Sequence, residues 1–236
     1  MRLLRRLLLA AVGIGKFSEH LPLYRQEDIL FRQGMRLPRS TLCRWVLESA
    51  KLLRPFYDLL KSLVLESRTI HTDDTPVPVL DRHLPQTRTG RFWVYAGDHL
   101  HPYTVYAYTP SRQRDGPVSF LGDWQGYLQA DAFAGYEGIY ATGKVTQVSC
   151  WAHARRKFFE AKEASPAAHE ALAYIRRLYA IEQELTSLRK QVDDERSLMK
   201  WYRVRRDTRQ RHSLPVLREF EAWLGQVEAL PKSPLG

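Results

Sequence analysis

The sequence predicts an α/β fold, a mixed sheet preceded by a helical region and followed by a region without strands. Three observations carry this. Apolar residues recur at three-to-four spacing up to about Arg68. The chain then changes to short runs rich in Val, Ile, Tyr and Thr, separated by Gly, Pro and Asp, as far as Ser149. From Cys150 onward no run reads as a strand. At 44% hydrophobic and 11% aromatic residues over 236 positions, the chain holds enough apolar surface to offset chain entropy, which excludes a disordered protein.

The opening Met1-Arg2-Leu3-Leu4-Arg5-Arg6 and the apolar run from Leu7 to Ile14 imitate a signal peptide. There is no small-residue cleavage site and the run is far too short for a bilayer, so it reads as a first core helix. Leu23, Ile29, Leu30 and Phe31 continue the helical period to a break at Gly34. Leu42, Trp45, Val46, Leu52, Leu53, Phe56 and Leu60 resume it. Between Arg25 and Val46 a helix, the Gly34 turn and Pro38 near a new helix start resemble a helix-turn-helix, which would turn Arg39, Ser40 and Arg44 toward DNA. An ordinary helical hairpin with solvated arginines fits the same residues equally well.

Strands are expected at Thr69–Leu80, Arg91–Ala96 and Tyr103–Tyr108, then a short helix at Val118–Leu121, a strand at Tyr127–Ala130, a short helix around Tyr136–Tyr140 and a strand at Val145–Ser149. Three hairpin-linked strands followed by alternating helices and strands is the order of a ribonuclease H-like mixed sheet. Helices are then expected at Trp151–Ala164, His169–Arg189, Glu195–Arg211 and Val216–Val227. Trp93, Trp124 and Trp151 are expected in the core.

The net charge of +10 points to a polyanionic partner. Residues 1–68 carry 13 basic and 6 acidic side chains (+7), 69–150 carry 6 and 8 (−2), and 151–236 carry 17 and 12 (+5). The basic excess thus flanks a mildly acidic centre. Two cysteines, Cys43 and Cys150, make no disulfide framework and fit a reducing cytoplasm.

Asp73 and Asp74 fall inside the first strand, where carboxylates are disfavoured unless a cation or partner compensates them. Asp131 follows the fourth strand, and ligands gather at strand carboxyl ends in such sheets. If the first and fourth strands are neighbours, these acids converge as hard oxygen ligands for Mg²⁺ or Mn²⁺. The plainer reading makes them turn acids, like Asp81, Asp98, Asp115 and Asp123. Cys150-x-x-His153 has the spacing of half a zinc site, without a second pair after it.

Four blocks in order resemble the signature segments of insertion sequence 66 transposases. They are Ile70-His71-Thr72-Asp73-Asp74-Thr75-Pro76-Val77, Gly90-Arg91-Phe92-Trp93-Val94-Tyr95, Tyr127-Leu128-Gln129-Ala130-Asp131-Ala132-Phe133-Ala134-Gly135-Tyr136, and Cys150-Trp151-Ala152-His153-Ala154-Arg155-Arg156-Lys157-Phe158. The segment from Lys16 to Gln26 is similar to that family's helical lead-in, so the likeness covers nearly the whole chain.

The resemblance implies a ribonuclease H-like core whose Asp-Asp-Glu triad binds Mg²⁺ or Mn²⁺, nicks transposon ends and joins the freed 3′-hydroxyl to target DNA. Asp73 matches the first acid and Asp131 the second; Asp74, at a position often Glu in the family, is the alternative. His153 is placed beside the active site, orienting a phosphate or supporting a carboxylate. Arg155, Arg156 and Lys157 follow it and suit phosphate contact, unless they form only a solvated face. The implied organisation is a DNA-binding helical region at 1–68, a catalytic core at 69–165 that lacks its last acid, and a helical insertion at 166–236. The partners are double-stranded DNA, as transposon ends and target, and further copies of the chain, with no membrane.

Two departures stand out. The family's Glu belongs to an Asn-Asn and Glu-Arg block, which is absent, and Leu230–Gly236 resembles the point shortly before it. The cysteine-rich zinc segment expected upstream is also absent. The expectation is therefore a truncated copy, inactive alone as an enzyme. The rivals are a non-catalytic DNA-binding remnant and an unrelated nuclease using Glu160 or Glu163 as its third acid.

Overall fold

The computed structural model describes residues 2–81, 83–190, 192 and 194–227. The segment Leu230–Gly236, expected to precede the Glu block, lies outside the described residues. Helices α1 (Arg2–Phe17), α2 (Leu23–Arg32) and α3 (Arg39–Leu65) come first. They bury Val12, Leu30 and Leu42 against one another, with Leu8, Leu23, Leu37, Trp45 and Val46 around them. α2 stops where Gly34 takes φ +84°, a conformation costly for any residue with a Cβ. That turn lets the Met35 N–H donate to the Leu30 carbonyl at 2.9 Å. α3 then starts behind Pro38, whose fixed φ suits a helix entry, and Glu27 Oε1 accepts from the Arg39 N–H at 2.9 Å.

Five strands follow: β1 (Thr69–Val79), β2 (Arg88–Ala96), β3 (Thr104–Thr109), β4 (Gly126–Ala130) and β5 (Val145–Ser149), in the order β3-β2-β1-β4-β5 of a mixed sheet. β1 and β2 are antiparallel, with Asp73 opposite Val94 and Asp74 opposite Trp93, and β2 and β3 are antiparallel with Trp93 opposite Ala107. Helix α4 (Asp115–Leu121) joins β3 to β4, and a 3₁₀ turn (Ala134–Tyr136) with the short α5 (Glu137–Tyr140) joins β4 to β5. Trp93 and Tyr95 are fully buried. The Trp93 indole N–H donates to Thr109 Oγ1 at 2.7 Å, and the Tyr95 ring stacks on Phe120 at 3.6 Å, which seats α4 on the sheet.

The β2–β3 connection is held by Asp98, whose carboxylate accepts backbone N–H groups from Arg68 (2.8 Å), Leu100 (3.0 Å) and His101 (3.1 Å). Burial alone would raise its pKa; the three N–H donors outweigh it and hold the carboxyl below its ordinary range. A depressed folded-state pKa adds stability that is fully present above the unfolded value near 3.9 and is lost as pH falls through the folded value. Asp98→Ala should therefore cost on the order of 1–3 kcal/mol at neutral pH, and the gap from the parent should close in urea melts repeated at progressively lower pH. An unchanged gap at acid pH would contradict this.

By contacts the chain divides into two compact units, 1–128 with 135–146, and 129–134 with 147–236. The second is mainly helical: α6 (Trp151–Ala161), α7 (Pro166–Arg189), α8 (Glu195–Thr208), a π turn (Arg209–Ser213) and α9 (Leu214–Leu224). Ala171, Ile175 and Phe220 form its core, with Phe158, Tyr174 and Trp223 packed on them. Asp194 caps α8 by accepting from the Ser197 N–H at 2.9 Å. The expected break between Arg211 and Val216 is absent. Pro215 has no N–H to donate, and the helix widens into the π turn just before it instead of ending. Trp93 and Trp124 are core residues as expected, but Trp151, the first residue of α6, is 39% exposed and touches Phe220 on one side. No helix among the described residues is long and apolar enough to cross a membrane.

Candidate metal centre

β1 alternates in burial at its start, Ile70 and Thr72 inward and His71 outward, before it reaches Asp73 and Asp74. β4, its neighbour in the sheet, ends at Ala130, so Asp131 is the first residue past that strand. Asp73, Asp74 and Asp131 each offer one carboxylate oxygen, and these three atoms lie within 4.8 Å of one another. The donors are all hard oxygens, the set that suits Mg²⁺ or Mn²⁺ rather than zinc or copper. Cys150 and His153 are not in this group.

The three acids are held differently. Asp74 has a side chain only 2% exposed and is clamped by two arginines. Arg91 Nη1 donates to its Oδ2 at 2.8 Å, and Arg112 reaches its Oδ1 with Nε at 2.8 Å and Nη2 at 2.7 Å. Arg91 can do this because it faces Pro76, two residues from Asp74 on the same side of β1, which makes it a diagonal cross-strand neighbour. Asp73 Oδ1 accepts the Asp74 backbone N–H at 2.8 Å, and Asp131 Oδ1 accepts the Phe133 N–H at 3.2 Å. The charge of Asp74 is thus already matched by two guanidinium groups. Neither arginine stood out in the sequence as part of a site, although Arg91 lies within the Gly90–Tyr95 block.

A family model described as the transposase IS66 family matches residues 3–236. The chain belongs to the IS66 transposase family. It is similar to three uncharacterized proteins of Sinorhizobium fredii (strain NBRC 101917 / NGR234). Protein y4hP is 30% identical over 94% of this chain and 42% of its own length, and y4jD is 31% identical over 92% and 43%. Protein y4qI is 29% identical over 75% of this chain and 36% of its own. The chain spans about two fifths of the length of these curated relatives. Membership in the IS66 family supports a transposase role and implies use of a divalent metal, for which the acidic group is available.

The other expected site residues fall on helices. The Cys150 N–H donates to the Ala130 carbonyl at 3.1 Å and the His153 N–H to the Cys150 carbonyl at 3.1 Å, so the first turn of α6 is tied to the strand end that carries Asp131. His153 is half-buried there. Arg155, Arg156 and Lys157 are exposed further along α6, with Lys157 facing Glu160 at 3.8 Å. Arg39, Ser40 and Arg44 are exposed on the first turns of α3, which runs 27 residues and contains Pro55.

Proposed function

We propose that this chain carries the metal-binding part of a ribonuclease H-like DNA transposase, acting on double-stranded DNA. The observation that supports it most is the grouping of Asp73, Asp74 and Asp131 in a chain of this family. Asp73 and Asp131 hold Mg²⁺ or Mn²⁺, while Asp74, matched by Arg91 and Arg112, positions β1. The ion, when bound, supplies activation of the attacking hydroxyl and stabilisation of the leaving oxygen in phosphodiester cleavage and strand transfer.

His153 orients a phosphate or supports a metal-binding carboxylate. Arg155, Arg156 and Lys157 neutralise phosphates without reading sequence. Arg39, Ser40 and Arg44 meet duplex DNA from α3. Residues 1–68 are the DNA-binding region, 69–165 the catalytic core and 166–236 a helical insertion. The working form is a homo-oligomer in the cytoplasm, where Cys43 and Cys150 remain thiols.

A second reading, DNA binding without cleavage by residues 1–236 alone, is favoured by the composition of the acidic group. Among the described residues its members are all Asp, and Asp74 is already paired with two arginines. Two carboxylates hold a metal but leave the second ion and the attacking oxygen poorly fixed, and such positioning supplies much of the rate in phosphoryl transfer. Incubating the 236-residue chain with Mg²⁺ and DNA bearing the element's ends should give no cleavage. The same chain followed by an Asn-Asn and Glu-Arg block should cut. Mg²⁺-dependent cutting by the 236 residues, lost on replacing Glu160 or Glu163, would replace this function with that of a nuclease.

A further inference from the structure

Helices α6 and α7 border a groove of about 780 Å³, within the roughly 300–1,000 Å³ range of nucleotide- and cofactor-sized sites. Arg155, Arg156, Phe159 and Lys162 line it from the α6 side, and His169, Arg176 and Tyr179 from α7. The α6 residues recur at three- and four-residue steps, as do Arg176 and Tyr179, so each set shares one helix face. Every ionisable lining residue other than Tyr179 is basic.

The neighbouring acids are largely engaged elsewhere. Glu160 faces Lys157 at 3.8 Å, Glu170 Oε2 accepts the Trp223 indole N–H at 2.7 Å, and Glu163 faces the lining cation Lys162 at 3.6 Å. A face that is merely solvated intersperses both signs, whereas this one concentrates four full positive charges. Such a concentration of like charge suits a polyanion.

The rings decide which polyanion. Phe159 and Tyr179 are 47% and 43% exposed in the middle of these cations. Lys162 Nζ lies over the Phe159 ring, 4.1 Å from its centroid, and Arg155 Cζ 5.9 Å from it, a cation–π arrangement that keeps charge and ring together while the ring stays about half exposed. A DNA duplex would turn only phosphate and sugar toward the groove, since its bases are stacked inside, and would leave both rings without a stacking partner. An unpaired strand offers base faces as well as phosphates, and aromatic side chains interleaved with basic ones are how such strands are held without sequence preference.

We propose that the α6–α7 groove binds an unpaired DNA strand, with phosphates on Arg155, Arg156, Lys162 and Arg176 and bases stacked on Phe159 and Tyr179. This rests on DNA as the substrate but not on the metal centre. Strand transfer requires a free 3′ end, and a groove for unpaired nucleotides would hold such an end away from its complement.

The test is fluorescence anisotropy of the full chain with a labelled oligothymidine, with the same strand annealed to oligodeoxyadenosine, and with oligouridine. All titrations are done in EDTA, so that the outcome is independent of Asp73 and Asp131. Phe159→Ala and Tyr179→Ala should each weaken oligothymidine binding by at least about fivefold and change duplex binding by less than about twofold. Phe159→Tyr and Tyr179→Phe, which keep a ring, should bind as the parent does. Arg155→Ala with Arg176→Ala should lower the slope of log affinity against log salt for the single strand by about 1.4, at about 0.7 per lost phosphate contact.

Circular dichroism shows whether each variant folds, and because both rings are exposed, either alanine variant suffices if the other is unstable. Equal loss for single strand and duplex, or no loss for either, would overturn the proposal. So would oligouridine binding several-fold tighter than oligothymidine, which would make the groove an RNA site.

Discussion

Asn in place of Asp73 or Asp131 is expected to lower Mg²⁺-dependent strand cleavage by at least about 10³-fold, in a protein that carries this chain together with the family's Glu block. Each substitution keeps the side chain's shape and removes one of the two carboxylate charges assigned to the ion. A metal supplies several kcal/mol of charge stabilisation in the transition state, and about 4 kcal/mol corresponds to a factor of about 10³. Duplex affinity measured in EDTA should stay within about threefold, because the residues proposed to contact phosphate are others. Single-turnover cleavage of labelled ends reads the rate directly. Cleavage retained within tenfold in either variant would remove that carboxylate from the chemistry.

Asp74 should behave differently, as a stability residue. Asp74→Ala leaves Arg91 and Arg112 facing the space of a carboxylate that was 2% exposed, with their own side chains 23% and 35% exposed. Removing one partner of a buried ion pair costs about 3–5 kcal/mol, and the partial exposure of both arginines puts this case near about 3 kcal/mol. For a chain of this size that is a fall in Tm of roughly 6–12 °C. Arg91→Ala combined with Asp74→Ala should cost less than the sum of the two single changes, because one stranded cation is then gone. A Tm within 2 °C of the parent in Asp74→Ala would show that the clamp contributes nothing.

Much of the sheet was legible because its strands are short, β-branched and separated by turn residues. Thr69–Val79 and Val145–Ser149 lie within one residue of the expected bounds, and β4 begins one residue earlier than expected. The acids were legible for a related reason. Two carboxylates inside a run of Ile, Thr and Val are anomalous in a strand unless something answers their charge, and for Asp74 two guanidinium groups do.

What answers Asp74 was not legible, because Arg91 meets it only through the β1–β2 register and Arg112 arrives from the loop after β3. The continuity of α8 into α9 was hidden by Pro215, which reads as a break and is accommodated by a wider turn. Trp151 departs from the expected core position because residue type says nothing of its place at a helix start, where it is 39% exposed. The basic groove was half legible: Arg155 and Arg156 stand in one motif, but Arg176 and Tyr179 join them only when α7 packs on α6.

The most direct test of the metal centre is Mn²⁺ binding to the 236-residue chain, followed by the loss of the free-ion signal in electron paramagnetic resonance, for the parent and for Asp73→Asn, Asp131→Asn and Asp74→Asn. The parent should bind Mn²⁺, Asp73→Asn and Asp131→Asn should each weaken it by at least about tenfold, equivalent to about 1.4 kcal/mol, and Asp74→Asn should stay within about threefold if folded. Equal affinity in the parent, Asp73→Asn and Asp131→Asn would contradict the assignment of these two carboxylates to a shared ion.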